Sequence, residues 1–72
     1  MNSTVDARGL SCPQPVILTM GRIKEQQKGR IEILVDTDTA KENVSRAASS
    51  KGWKVAAIEP DGSGYRVVIE KN

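Results

Sequence analysis

Seventy-two residues and 7.8 kDa leave room for one domain, expected to span residues 1–72, and exclude a multi-domain enzyme. With 38% apolar and 28% charged residues the composition is that of a globular chain rather than a disordered one. Eleven Lys and Arg against nine Asp and Glu give a net charge of +2 with no histidine, a small excess without a sequence cluster, which weighs against nucleic acid as the main ligand.

No apolar run approaches the roughly 20 residues of a membrane span, and Met1-Asn2-Ser3-Thr4 lacks the charged and apolar regions of a signal peptide. No membrane association and a cytoplasmic location are therefore expected. The single cysteine, Cys12, has no partner for an intramolecular disulfide, and without histidine the chain lacks the donors of a zinc site. Neither a metal nor a cofactor is expected.

In chain order, Thr4 to Arg8 alternates apolar and polar residues before Gly9, as a short first strand closed by a turn does. From Val16, the residues Val16, Ile17, Met20 and Ile23 fall on one helical stripe, with Arg22, Glu25 and Gln26 opposite and Gly29 as the stop. Arg30 to Val35 predicts a central strand, since Ile31, Ile33 and Val35 share one face and Leu34 marks a second, partly covered one. Thr39 followed by Glu42 matches a capping box for a second helix, whose inward stripe is Ala40, Val44, Ala47, Ala48 and the stem of Lys51, ended by Gly52.

Trp53 to Glu59 and Tyr65 to Lys71 read as two strands joined by a five-residue loop, Pro60 to Gly64, and hence as antiparallel neighbours. The order βαβαββ predicts an α/β (α+β) two-layer sandwich, a four-stranded mixed sheet with both helices on one face.

Chemistry is concentrated in Asp6-Ala7-Arg8-Gly9-Leu10-Ser11-Cys12-Pro13-Gln14-Pro15. Pro13 and Pro15 fit the first turn of a helix, where a missing N–H is tolerated, and this places Cys12 at or next to the N-cap. A thiolate there meets the positive end of the helix dipole, although two prolines remove two amide donors. A buried cysteine acting as a small hydrophobe is the bland alternative. Against it, Cys at a helix start forgoes the roughly 1 kcal/mol of a Ser, Thr, Asp or Asn cap. With no histidine base and no resolving cysteine, a lone thiol is poorly equipped for a full catalytic cycle or for dithiol exchange, and carriage of a sulfur atom as a persulfide is what is left.

Those residues resemble the signature of the TusA/SirA/YedF family of small sulfur-carrier-type proteins, in which Cys-Pro-x-Pro opens the first helix. The similarity extends through Asp36, the segment Glu42-Asn43-Val44-Ser45-Arg46 and Gly64-Tyr65-Arg66, and the second-helix segment is closer to the YedF-like branch. The resemblance implies a βαβαββ sandwich, with Cys12 carrying a persulfide. Its implied partners are a cysteine desulfurase as donor and a downstream acceptor serving tRNA thiolation or related sulfur metabolism, with selenium an alternative cargo in the YedF-like branch. Many members carry basic residues two or three turns into the first helix, where this chain has Leu18, Met20 and Gly21.

Asp6 and Arg8 pair near Cys12 in one reading, Arg8 supporting a thiolate, and form an ordinary surface pair in the other. Gly9 supplies the turn beside them. Gln14, Leu18 and Arg22 line the outer face of the first helix, where an exposed leucine can receive a partner or be one of the scattered apolar residues of any surface. Two function classes follow: a carrier that depends on partner enzymes and is not itself an enzyme, and a non-catalytic RNA- or protein-binding adaptor. The adaptor rests on likeness to an RNA-binding domain of a translation initiation factor, and the near-neutral charge and absence of Phe oppose it.

Overall fold

The computed structural model describes residues 2–11 and 13–72. Six elements follow the expected order: β1 (Asn2–Asp6), α1 (Gln14–Gln26), β2 (Gly29–Val35), α2 (Asp38–Ser50), β3 (Lys54–Asp61) and β4 (Gly64–Lys71). The strands form one mixed sheet in the order β1-β2-β4-β3, in which β1 and β2 are parallel and β4 runs antiparallel to both β2 and β3. The crossovers β1-α1-β2 and β2-α2-β3 both advance in the same direction across the sheet. Two right-handed crossovers in one direction put both helices on one face.

Between the layers lies the core. Ile31, Ile33 and Val35 of β2 and Val67 and Ile69 of β4 are fully buried against Val44 and Ala48 of α2, with Val5, Ala7, Ile23, Ala40 and Trp53 completing the cluster. At about 25 cal/mol per Å² of apolar surface removed from water, each large side chain of this set contributes roughly 1.5–3 kcal/mol. The opposite sheet face carries no helix, and charged side chains there surround a buried Val68. There Arg66 bridges two strands, bonding Glu59 of β3 at 2.9 Å and approaching Glu32 of β2 to 3.8 Å, and Arg30 faces Glu70 at 3.8 Å.

Several boundaries differ from the sequence expectation. β1 covers Asn2–Asp6 rather than Thr4–Arg8, because pairing with β2 reaches its limit at Asp6↔Leu34 and the chain then turns. The buried stripe of α1 is Pro15, Thr19 and Ile23, flanked by Val16 and Met20, so Ile17 points to solvent and Thr19 takes the place assigned to it. A fully buried threonine is tolerated there because its hydroxyl donates to the Pro15 carbonyl at 2.9 Å. Gln26, expected on the solvent side, accepts from Ser3 Oγ at 2.6 Å and donates to the Arg30 carbonyl at 3.1 Å, fastening the end of α1 to the sheet. That helix terminates at Gln27, in a left-handed conformation (φ 65°), two residues before Gly29.

The cap of α2 is Thr37 and not Thr39: its side chain accepts the Ala40 N–H at 3.0 Å, two residues earlier than the sequence pattern suggests. The far end of α2 closes with Gly52 N–H on the Ser49 carbonyl and Trp53 N–H on the Ala48 carbonyl, the Schellman pattern that the glycine predicts. Lys51 is exposed, so its stem is not part of the buried stripe.

The connection between β3 and β4 is a two-residue turn, Gly62-Ser63, rather than a five-residue loop. Gly62 has a positive φ of 63° at the first central position, as a type II′ hairpin requires, so pairing continues to Asp61↔Gly64. Pro60 joins the strand because β3 is an edge, where a missing donor faces solvent.

Candidate functional site

The signature segment leaves the sheet at the carboxyl end of β1, beside the carboxyl end of β2, the position where open α/β sheets hold their ligands. Ala7 still donates to the Leu34 carbonyl at 2.8 Å, so the segment departs from a fixed point. Asp6 then holds Arg8 three times over: it accepts the Arg8 backbone N–H at 3.1 Å, Nε at 2.9 Å and Nη2 at 2.9 Å. The Arg8 guanidinium beside it lowers the Asp6 carboxyl to about 2, chiefly through the side-chain hydrogen bonds and then through the backbone one. Asp6 in turn raises the Arg8 pKa, with Asp61 and Asp36 adding to the same field.

One residue further, the Gly9 N–H donates to Asp36 Oδ2 at 2.8 Å. Gly9 sits at φ 78°, a left-handed conformation that side chains other than Gly and Asn rarely adopt, and open space surrounds it. The sequence marks Asp36 only as a place where the resemblance continues. Its carboxylate as the strut of the loop becomes visible only once β1 and β2 lie side by side.

Pro13 occupies the N-cap position of α1 and Pro15 lies in the first turn, fully buried. The Gln14 N–H donates to the Ser11 carbonyl at 2.9 Å. With both prolines lacking a donor, an amide nest at this helix start is correspondingly thin. Cys12, the residue on which the chemistry was predicted to rest, lies outside the described residues.

Of the outer-face residues, Gln14 and Leu18 are exposed and Arg22 is half-buried. Two further apolar side chains are exposed: Leu10 of the signature segment at 40% and Ile17 at 54%, with Leu18 at 39%. Periodicity alone places Ile17 on the core stripe, and the structure turns it to solvent. Val16, Ile17, Leu18, Met20 and Ile23 span more of the α1 circumference than α2 and the sheet cover, which leaves Ile17 outside.

The same end of the molecule carries a second polar cluster. Tyr65, first in β4 after Gly64, donates its hydroxyl to Asp38 at the start of α2, and the Lys41 ammonium stands 4.4 Å from the Tyr65 ring centre and 3.6 Å from the Asp38 carboxylate. The tyrosine hydrogen bond is the main reason that the Asp38 pKa falls, and the same bond raises that of Tyr65. Among the described residues no group of three or more Cys, Asp or Glu side chains is placed to hold a metal ion.

The family model described as Sulfurtransferase TusA matches residues 3–71. A relative from Methanocaldococcus jannaschii, named "Putative sulfur carrier protein MJ0990", is 35% identical over 68 residues, covering 93% of this chain and 91% of that protein. The crystal structure of a SirA-like protein from Desulfitobacterium hafniense superimposes with a TM-score of 0.86 at 30% identity, over 97% of each chain. The fold and the signature segment thus define a small α/β protein of the SirA-like type. The chain belongs to the TusA family. This membership supports a sulfur-carrier role and, with it, partners in sulfur handling. No helix among the described residues is long and apolar enough to cross a membrane.

Proposed function

We propose that the protein carries sulfur as a persulfide on Cys12. The Cys12 thiolate attacks the outer sulfur of a persulfide held by a donor enzyme, expected to be a cysteine desulfurase. One S–S bond forms on Cys12 as the donor's S–S bond breaks, and the donor's thiolate leaves, so the exchange needs no external oxidant or reductant. Cys12–S–SH then delivers its outer sulfur to an acceptor of the tRNA-thiolating type or of related sulfur metabolism. The chain supplies no base of its own, and the enzymes at either end provide acid–base chemistry, which makes it a carrier rather than an enzyme.

The observation that carries this reading is the family match across residues 3–71, which includes the only thiol. The loop geometry supports it: Asp6 and Asp36 hold the residues just before Cys12 by hydrogen bonds at both Arg8 and Gly9. Leu10, Ile17 and Leu18 offer the donor an apolar footing beside the loop, with Gln14 and Arg22 as its polar margin. A lone working thiol fits the reducing cytoplasm.

The adaptor reading finds no platform on the open sheet face. There Arg30, Glu32, Glu59, Arg66 and Glu70 are engaged in ion pairs, Trp53 is in the core, and Tyr65 lies half-buried beneath Lys41. No described feature favours selenium over sulfur.

To test the carrier reading, the protein is incubated with a cysteine desulfurase and labelled cysteine, and its intact mass is measured. A gain of one sulfur on the wild type and none on Cys12→Ser is expected. Equal gains on both, or none on the wild type, refute it.

A further inference from the structure

The fold separates charge in a way the linear sequence conceals. Lys24 ends α1, Lys28 and Arg30 lead into β2, Lys51 caps α2, Lys54 opens β3 and Lys71 ends β4. The helices run from the loop end of the sheet to the opposite end, where β2 and β3 begin and β4 finishes, so all six cations gather there. Among the described residues the carboxylate side chains at that end are Glu25 and Glu70, and Glu70 is already engaged with Arg30. Lys24, Lys28, Lys51, Lys54 and Lys71 have no ion-pair partner among the described residues. Of the other cations, Arg8, Arg30, Lys41 and Arg66 are paired, and Arg22 and Arg46, on the two helices, are in no ion pair among the described residues.

Two adjoining clefts shape this end. One, of about 440 Å³, is lined by Gly52, Lys54, Glu70, Lys71 and Asn72, and the Lys71 ammonium lies 3.5 Å from where a Gly52 side chain would begin. The other, of about 340 Å³, has Met20 and Ile23 as its floor with Lys24 and Lys51 at its mouth. Lysines in the last turn and at the cap answer the negative ends of the helix dipoles, which accounts for Lys24 and Lys51. It does not account for Lys28, Lys54 and Lys71, which lie on the loop and strands.

We propose that this lysine-rich end is a docking surface for the phosphate backbone of RNA, on the side of the molecule opposite the sulfur-bearing loop. A protein partner needs a broad apolar centre to its interface; here the apolar lining is confined to the small Met20–Ile23 cleft beneath Lys24 and Lys51, and the exposed large apolar side chains, Leu10, Ile17, Leu18 and Ile58, belong to other parts of the surface. Nucleic-acid contacts are instead polar and strongly positive. Lysine point charges without an aromatic platform fit phosphates and carry no base readout, so binding is independent of sequence. The two ends thus divide the work, an apolar footing for an enzyme at one and a cationic footing for a polyanion at the other. This inference stands apart from the thiol chemistry and survives or falls without it.

The test is fluorescence anisotropy of labelled single-stranded RNA against the full chain over a salt series. Four or five phosphate contacts give a slope of log K on log salt of about −3 to −3.5, with binding weakening steeply between about 50 and 200 mM salt. Lys54→Gln with Lys71→Gln is expected to weaken binding at least fivefold at low salt and to flatten the slope by about 1.4. Thr39→Glu with Ser63→Glu, which removes the same net charge at the loop end, is expected to leave the slope unchanged, as is Cys12→Ser. Circular dichroism checks that each variant is folded. No binding at low salt, equal loss in the two charge-matched double variants, or binding to phosphatidylserine vesicles or polyglutamate but not to RNA each overturns the proposal.

Discussion

Asp36 and Asp6 act on the loop in different ways, and substitution separates them. Asp36→Ala removes the only acceptor shown for the Gly9 N–H, so amide exchange at Gly9 is expected to accelerate at least tenfold with little change in global stability, while Asp36→Asn, which keeps an acceptor oxygen, restores most of the protection. Unchanged exchange in the alanine variant would count against the strut. Asp6 gives a pH prediction. Its folded pKa of about 2 is below the ordinary aspartate value of roughly 3.9, so its contribution is complete above that value and is lost as pH falls through about 2. Carboxyl titration followed by NMR should find Arg8 still paired at pH values near 3; a midpoint in the ordinary aspartate range would contradict the geometry. Gly64 is fixed for a steric reason. A Cβ there would run into the Val35 carbonyl and the Asp36 backbone, so Gly64→Ala is expected to destabilise by about 3 kcal/mol or more, read from denaturant unfolding.

For the elements, the two helices are held in place by different means. α1 begins without a side-chain cap and relies on Pro15, the Thr19 back-bond and the Gln26 tether to the sheet. α2 has the Thr37 cap at one end and the Gly52 closure at the other. Thr37→Ala is therefore expected to cost about 1 kcal/mol and lower Tm by roughly 4–8 °C in a domain this small, with a fall of less than a degree counting against the cap. The Tyr65–Asp38 bond joins the start of α2 to β4. Because the Tyr65 pKa is raised, the tie is intact below roughly pH 10 and is lost as pH climbs beyond it; phenolate absorbance of this sole tyrosine should titrate above the ordinary value, and in Asp38→Ala should return toward it.

At the scale of the whole molecule, one face of the sheet, both helices and Trp53 contribute to a single core, so unfolding should be cooperative. Trp53 fluorescence and helical circular dichroism are expected to report coincident transitions, and separated midpoints would show that one helix leaves before the sheet. The element order, the central place of β2 and the buried faces of β2 and α2 could be read from the chain, because periodicity and capping chemistry are local signals. The signature segment, too, was visible as residues, and it carried the family assignment that the relatives then supported. Ile17 and Thr19 show where that reading stops: both fit a helix, and only the packing of α1 against α2 and the sheet decides which one is covered.

What the sequence determined by itself, then, is the βαβαββ order and a lone thiol set before a proline-started helix, since each depends on neighbours in the chain. What tertiary structure decided is the company those residues keep. Asp36 meets Gly9 across twenty-seven positions, and six cations scattered from Lys24 to Lys71 gather at one end. Parallel strands joined by crossover helices bring chain-distant termini together, and electrostatic and hydrogen-bonding partners follow distance in space, which no local pattern encodes.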